Sequence, residues 1–417
     1  MDLPPHDVRD LELAEQGRRR VEFAERAMPV LRLLRTGFRD ALPLAGLEIA
    51  ACAHVTPETG ALARTLVAGG ARLSIAASNP FSTQDDVAAA LVVVDGVSVH
   101  ARHGVDRAGQ AAHVAAALGA RPHLLLDDGC DLVNALRRRP ELRARVRAGG
   151  EQTATGVLRL RQMSADGALQ LPMAALNDTP LQLLVANRHG TGQSTLEAIM
   201  ASTGALLAGT TVVVAGYGWC GSGVARRAQG LGATVVVTEV EPTRALDAVL
   251  DGHRVLPMAA AAGLGELFVT TTGNRDVLRG EHFARMRDGA VLANAGHFDV
   301  EIDVPALEAA SASVQRGVRP HVDAYDQPDG RRLLLLAEGR LVNLAAGQGH
   351  PPPVMDISFA VQALAVQWLA TAELAVGVHD VPPHIDAEVA RIKLDTLGLH
   401  LDEVTAAQQH YLSTWRP

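Results

Sequence analysis

The chain has 417 residues, a formal net charge of −8 and only 3% aromatic residues. This length exceeds what one hydrophobic core usually supports, so two domains are expected. The acidic balance excludes a general attraction to nucleic acid or to anionic membranes. The N-terminal segment is acidic and has no apolar run, and no other stretch has the composition of a membrane span, so we expect a cytoplasmic protein without a membrane segment.

The three cysteines, Cys52, Cys130 and Cys220, lie far apart and form no CxxC pair. This spacing argues against a disulfide framework and against a zinc site. We therefore expect buried thiols and no metal.

The first 180 residues alternate between helix and strand patterns. Residues 12–36 have helical periodicity, and the strand-like LEIAAC and the helix TGALARTLVAGG follow. The apolar runs ARLSIAAS, AALVVV and HLLLDDG are each interpreted as further strands. This succession predicts an α/β domain with polar loops at the carboxyl ends of its strands, where such sheets bind ligands.

A second α/β run begins at about Ser194 and contains the sequence TTVVVAGYGWCGSG. This stretch has the GxGxxG spacing between a strand and a helix. The first glycine, Gly216, allows a tight turn, Gly218 allows a pyrophosphate to approach the backbone, and Gly221 allows the helix to pack closely on the strand. The next strand ends in Glu239, 18 residues after Gly221. A carboxylate there accepts hydrogen bonds from a ribose 2′-hydroxyl and repels a 2′-phosphate, so NAD is favoured over NADP.

The strands LFVTTTGN, AVLANAGHFD and LLLLAEGRLVNLAAG complete this second run. We predict an α/β fold of two Rossmann-like, doubly wound domains joined by a hinge. Residues 1–190 form the substrate-binding domain and residues 191–350 the NAD-binding domain. Residues 351–380 have helical spacing without a strand signal and pack back on the first domain, and residues 381–417 form a C-terminal helical segment.

Motifs along essentially the whole chain resemble the S-adenosylhomocysteine hydrolase family. They are SNPFSTQDD, LLLDDGCDL, the glycine loop, VTTTGN, NAGHFDVEIDV, LLAEGRLVNLAAGQGHP and MDISFA. The sequences GYGWCG and NRHGTGQST and the C-terminal YLSTWRP are similar to the shorter branch of the family. The longer branch has a C-terminal extension that contributes to the cofactor site of the neighbouring subunit. The resemblance implies a homo-oligomer, a dimer or a tetramer.

The resemblance also implies a reaction in which NAD is a resident catalyst. Family members oxidise the 3′-carbon of a nucleoside ribose, remove the acidified 4′-hydrogen, eliminate the 5′-substituent, add water and return the hydride. Residues matched to this chemistry are catalytic His54, Asp128 and His297; substrate-binding Thr56, Glu58, Thr59, Gln84, His350, Met355 and Phe359; and cofactor-binding Thr153, Thr155, Asn187, Gly216, Gly218, Trp219, Cys220, Gly221, Glu239, Thr272, Asn274, Asn343 and His350.

Three sugar-facing positions depart from the family pattern. Gln182 stands at the position of a lysine, Ala186 at that of an aspartate and Gln152 at that of a glutamate. Oxidation of a secondary alcohol needs a group that accepts the hydroxyl proton, and a glutamine does not. We therefore expect Gln182 and Gln152 to belong to the catalytic site as neutral groups that form hydrogen bonds with the sugar, with slow turnover of S-adenosylhomocysteine.

Three functions remain open on this basis. The first is a lyase that stops at elimination and dehydrates a modified adenine nucleoside, as in the biosynthesis of angustmycin-type nucleoside antibiotics. The second is an S-adenosylhomocysteine hydrolase with repositioned bases. The third is an NAD- and nucleoside-binding regulator without turnover.

Overall fold

The computed structural model describes residues 3–415, which form two β-sheets flanked by helices. The strands are β1 Glu48–Ala53, β2 Arg72–Ala77, β3 Ser98–His100, β4 Leu124–Asp127, β5 Ala148–Glu151, β6 Pro172–Ala175, β7 Thr211–Ala215, β8 Thr234–Thr238, β9 Arg254–Val255, β10 Leu267–Thr270, β11 Val291–Asn294, β12 Ser313–Arg319, β13 Val322–Asp326, β14 Arg332–Leu336 and β15 Gly377–His379. The α-helices are α1 Ala14–Arg26, α2 Pro29–Ala41, α3 Pro57–Ala68, α4 Asp85–Val93, α5 Arg107–Gly119, α6 Asp131–Leu136, α7 Pro140–Arg143, α8 Ala154–Ala165, α9 Thr191–Thr203, α10 Trp219–Gly230, α11 Pro242–Leu250, α12 Met258–Ala261, α13 Gly280–Phe283, α14 Val304–Ala310, α15 Val342–Ala345, α16 Pro352–Thr371, α17 Pro383–Thr396 and α18 Ala406–Ser413. Short 3₁₀ turns lie at Leu11–Leu13, Pro80–Ser82, Leu176–Asp178 and Ala337–Gly339, and a π-helix spans Gln182–Gly190.

The first sheet is parallel and has the strand order β15-β6-β5-β4-β1-β2-β3. Side chains of β1 alternate between its two faces, with Ile49 and Ala51 in one core and Ala50 and Cys52 in the other. Successive strands are added on one side of β1 up to β3 and on its other side from β4 onward, so the winding of the sheet reverses between β1 and β4. Such a reversal leaves a crevice outside the carboxyl ends of these two strands, where α/β proteins bind ligands.

The second sheet repeats this order as β9-β8-β7-β10-β11-β14 and adds β13 and β12 as antiparallel strands at its edge. Its winding reverses between β7 and β10, so a second crevice lies where the glycine loop follows β7. The predicted fold class, with two doubly wound Rossmann-like units, is confirmed.

The π-helix Gln182–Gly190 and α9 connect the two units, and α16 returns the chain to the first core. Asp356 of α16 is fully buried and accepts hydrogen bonds from the N–H groups of Val30 and Leu31 at the start of α2. Lys393 Nζ lies 2.9 Å from the same carboxylate and neutralises its charge. We keep 1–190 and 191–350 as the proposed domain limits, with 351–380 packed on the first and 381–417 as the C-terminal segment.

The structure differs from the sequence-based elements at several places, and strands β3, β5, β6 and β9 are among the elements that were not predicted. The run AALVVV was predicted as a strand but lies in helix α4 up to Val93, because a short continuous apolar run has no periodicity that separates strand from helix. The hairpin β12–β13 was not predicted, since β12 is an exposed polar edge strand. The three-residue strand β15 adds to the first sheet in a segment predicted to have none. Helix α16 has the length and apolarity of a membrane span, but 61% of its most apolar stretch is buried, as in a core helix.

Candidate active site

The two crevices face each other and enclose a cavity of about 510 Å³. This volume is typical of a small-molecule site. Nineteen of the residues predicted from the sequence line it: His54, Thr56, Glu58, Thr59, Asp128, Gln152, Thr153, Thr155, Gln182, Asn187, Gly218, Trp219, Cys220, Thr272, His297, Asn343, His350, Met355 and Phe359.

His54 and Asp128 follow the two strands between which the first sheet reverses, β1 and β4. His54 Nε2 lies 3.4 Å from Asp128 Oδ2, and His54 Nδ1 lies 2.7 Å from the Ser82 hydroxyl. Because that hydroxyl donates to the carbonyl of Asn79, it accepts a hydrogen bond from Nδ1–H. The lone pair of neutral His54 is therefore on Nε2, beside Asp128.

The protonation of His54 is set by two opposing effects. Burial lowers the pKa of His54, whereas the charge of Asp128 acts in the opposite direction and His297 in the same one. The imidazole is therefore neutral at neutral pH, and Asp128 stabilises the cation that forms when Nε2 takes up a proton. Such a group transfers protons within one turnover.

His297 enters from the second unit, after β11. One ring nitrogen of His297, one of His54 and one carboxylate oxygen of Asp128 lie within 4.8 Å of one another. Gly129 makes this approach possible, because a Cβ there would lie 3.0 Å from His297 Nε2 and the residue has a φ of +104°. Two domains thus contribute to one cluster of titratable groups.

Two buried carboxylates hold the turn that carries Asp128. Asp127 accepts hydrogen bonds from the N–H groups of Asp131, Leu132 and Val133, so it caps α6. Glu151 accepts from the N–H groups of Gly129 and Cys130. Asp127 is therefore structural, whereas Asp128 is presented to the cavity.

The positions that depart from the family pattern, which are predicted to face the sugar, are neutral. Gln152 and Gln182 line the cavity, and within residues 3–415 neither side-chain amide bonds to another protein group. Ala186 is buried in the π-helix behind them. The sequence contains a single lysine, Lys393, and it is paired with Asp356 outside the cavity lining. No lysine from elsewhere in the chain replaces the missing base.

A third part of the cavity is lined by the start of α3, where Glu58 is buried without an ion pair among the described residues. Burial raises the pKa of Glu58. His350 lines the same cavity, with Nε2 at 3.2 Å from the Thr191 hydroxyl, and burial lowers its pKa to about 4. His350 therefore stays neutral.

The glycine loop has the shape that a dinucleotide requires. Gly216 has a φ of +94°, and a Cβ on Gly221 would lie 2.0 Å from the carbonyl oxygen of Gly216. Next to Gly218 there is no protein atom closer than 3.7 Å to such a Cβ, which leaves room for a phosphate at the N-terminus of α10. Buried Thr155 Oγ1 and Asn343 Oδ1 have no protein partner and line the same cavity. These residues fit NAD.

Five predicted residues lie outside the cavity lining. Gly216 and Gly221 shape the loop from behind, and Glu239 at the end of β8 accepts hydrogen bonds from the N–H groups of Tyr217, Val240 and Glu241. Asn274 is exposed, and the buried Oε1 of Gln84 has no partner at the start of α4. Sequence reasoning missed four further residues that line the cavity. Asn177 and Arg244 belong to no recognised motif, whereas Thr191 and Gln348 lie within the motifs NRHGTGQST and LLAEGRLVNLAAGQGHP but were not assigned to the site.

The glycine loop gives a direct test with a matched control. Gly221→Ala is expected to lower NAD affinity by about tenfold or more, because its Cβ forces the loop and α10 apart. Gly230→Ala, in the same helix with nothing within 4 Å, is expected to leave affinity unchanged. Calorimetric titration with NAD measures both variants, and equal affinities would contradict the proposed role of Gly221.

Comparison with known proteins agrees with the geometry. Residues 187–349 match the family model "S-adenosyl-L-homocysteine hydrolase, NAD binding domain", and residues 5–148 match "S-adenosyl-L-homocysteine hydrolase". The chain is 52% identical over 412 residues to an adenosylhomocysteinase of Aquifex aeolicus, covering 98% of each protein. It is 49% identical over 405 residues to an S-inosyl-L-homocysteine hydrolase of Methanosarcina mazei, covering 97% of this chain and 98% of the relative. The protein is an NAD-dependent enzyme and belongs to the S-adenosyl-L-homocysteine hydrolase family.

Proposed function

We propose that this enzyme removes water from an adenine nucleoside by transient oxidation of its sugar, the reaction type needed for angustmycin-type antibiotics. The observation that carries the proposal is the asymmetry of the cavity. The cluster of His54, Asp128 and His297 is complete, whereas the sugar-facing Gln152 and Gln182 carry no charge. A cytoplasmic homo-oligomer, dimer or tetramer, is part of the same proposal.

When bound, NAD supplies a reversible oxidation by taking hydride from the ribose 3′-carbon and returning it at the end of the turnover. The hydroxyl proton at that carbon needs an acceptor, and we assign it to His297, since Gln182 has no basic group. Gln152 and Gln182 then hold the sugar hydroxyls by neutral hydrogen bonds. Their amides both donate and accept, which suits a sugar of different shape.

Elimination is assigned to His54. The 3′-ketone acidifies the 4′-hydrogen, and the Nε2 lone pair takes up that proton while Asp128 stabilises the imidazolium. The C5′–O bond then breaks, the imidazolium gives its proton to the departing hydroxide, and a 4′,5′-alkene and one water form. His297 would give its proton back to the 3′-oxygen once the cofactor has reversed the oxidation, so the net change is loss of water.

A second candidate is hydrolysis of S-adenosylhomocysteine, in which water adds before the hydride returns. The names of the relatives at about 50% identity favour it. The absence of a lysine from the cavity weighs against it, because loss of a general base commonly costs about 10² to 10⁴ in rate. The third candidate is a regulator that binds NAD and a nucleoside but does not convert the nucleoside.

Product analysis distinguishes these functions. Purified enzyme with NAD is incubated with a panel of adenine nucleosides, and mass spectrometry searches for products that have lost one water. A parallel incubation with S-adenosylhomocysteine is assayed for homocysteine. Dehydration with little homocysteine is expected, whereas rapid homocysteine release would overturn dehydration as the main activity.

The buried carboxyl of Glu58 predicts a pH dependence of nucleoside binding. We assign it to the purine edge, where the neutral acid donates to adenine N1 and accepts from the 6-amino group. Because burial raises its pKa, this form persists above the usual range of a glutamate, and affinity for adenosine falls as the pH rises through that raised value.

Glu58→Gln is expected to bind adenosine with little pH dependence, since an amide keeps both hydrogen bonds at every pH. The exposed Glu141→Gln provides a control that keeps the pH dependence of the native enzyme. Calorimetric titration with adenosine over a series of pH values measures the affinity of both variants. If the affinity of Glu58→Gln falls with pH as steeply as that of the native enzyme, the purine does not bind at Glu58.

A further inference from the structure

Arg159, on helix α8 of the first unit, contacts loops of both units. One guanidinium nitrogen donates to the carbonyl of Gly129, 2.9 Å away, in the turn that carries Asp128. The guanidinium carbon lies 4.0 Å from the ring centroid of Phe298, in the loop after β11. Phe298 in turn packs edge-on against His297, with centroids 4.5 Å apart and planes at 89°.

A second contact crosses between the units with the roles exchanged. Arg340, from the second unit, lies 4.0 Å from the ring centroid of Phe81 in the first. Its guanidinium is held in place by hydrogen bonds to the carbonyl of Ala337 and to Glu338, each 2.9 Å long. Phe81 precedes Ser82, whose hydroxyl fixes the Nδ1 proton of His54.

Each unit thus supplies one arginine and one phenylalanine. Phe298 adjoins His297 in the chain, and Phe81 adjoins Ser82, which forms a hydrogen bond with His54. A cation over an aromatic face is attractive, and more so where water is excluded. We propose that Arg159 and Arg340 are positioning residues whose two cation–π contacts couple closure of the cleft to the placement of His297 and His54.

The proposed reaction gives no role to Arg159 or Arg340, and a positioning role accounts for where both side chains lie. Arg159 places a positive charge next to the carboxylates of the Asp128 turn. The Arg340 side chain is only 17% exposed, although it does not line the cavity. Neither arginine touches the cavity, so neither is catalytic itself. The inference rests on the proposed binding of a nucleoside between the units, but not on elimination.

The test is a double-mutant cycle on Arg159 and Phe298 in the NAD-loaded enzyme. Arg159→Gln and Phe298→Leu are each expected to weaken adenosine binding about threefold to thirtyfold, the range for one lost cation–π contact. The double variant is expected to lose no more than either single one, because both remove the same contact. Arg159→Lys is expected to recover part of the loss, and exposed Arg107→Gln serves as the control.

A second measurement separates positioning from general destabilisation. Hydrogen exchange of the segment 294–301 is expected to increase in Arg159→Gln with adenosine bound, while the free enzyme keeps its melting temperature within a few degrees. The cycle is repeated for Arg340 and Phe81. Additive effects in both cycles, or equal losses in Arg107→Gln, would overturn the inference. Adenosine binding without any product would leave it standing and refute only the proposed dehydration.

Discussion

The double variant Gln182→Lys with Ala186→Asp is expected to hydrolyse S-adenosylhomocysteine about 10²-fold faster than the native chain. The lysine supplies a proton acceptor where Gln182 now lines the cavity, and the aspartate supplies its counter-charge from the π-helix. A desolvated lysine has a lowered pKa, which makes it a base at neutral pH. Homocysteine release under saturating NAD measures the effect.

The single variants are the controls for this prediction. Ala186 is 1% exposed, so Ala186→Asp alone buries an unpaired carboxylate and is expected to destabilise the protein by about 3–5 kcal/mol. The lysine variant alone lacks the counter-charge and is expected to gain less activity than the pair. A double variant no faster than the native chain would show that more than the base separates this enzyme from a hydrolase.

Replacing His54 by glutamine is expected to lower kcat by about 10² to 10⁴ for whichever nucleoside the enzyme turns over. Its Nε2 is the basic atom nearest to Asp128, and glutamine cannot shuttle a proton. The loss is expected mainly in kcat, since NAD binds in the other unit. Exposed His410→Gln is the control, and an equal loss there would point to an effect on folding.

Asp128→Asn adds a directional test of the same pair. Asp128 raises the pKa of His54 against the larger effect of burial, so its neutralisation lowers that pKa further. Activity that needs neutral His54 is lost as the pH falls through its pKa. The acidic limb of kcat/KM is therefore expected to move to lower pH in Asp128→Asn, together with a lower maximum. A limb that stays in place would remove His54 from the role of base.

Sequence reasoning succeeded where local rules are strong. Gly216 needs a positive φ and Gly221 a missing side chain, so their spacing specifies the loop before any tertiary contact is known. Strands β1 and β4 are buried apolar runs bounded by polar residues, which is why His54 and Asp128 could be placed at strand ends. The assignment failed for AALVVV, because six consecutive apolar residues show neither a helical nor a strand period.

The sequence by itself determined the two doubly wound folds and the NAD loop, because each depends on residue types at short, fixed spacings. The resemblance to the family added the expected loss of the base at Gln182. Only the tertiary structure showed that Lys393 is paired with Asp356 and that Nδ1 of His54 contacts the Ser82 hydroxyl. It also decided that Arg159 meets Phe298, from the other unit. Such contacts join residues far apart in the chain, and their formation depends on packing of whole sheets and helices, which no local pattern encodes.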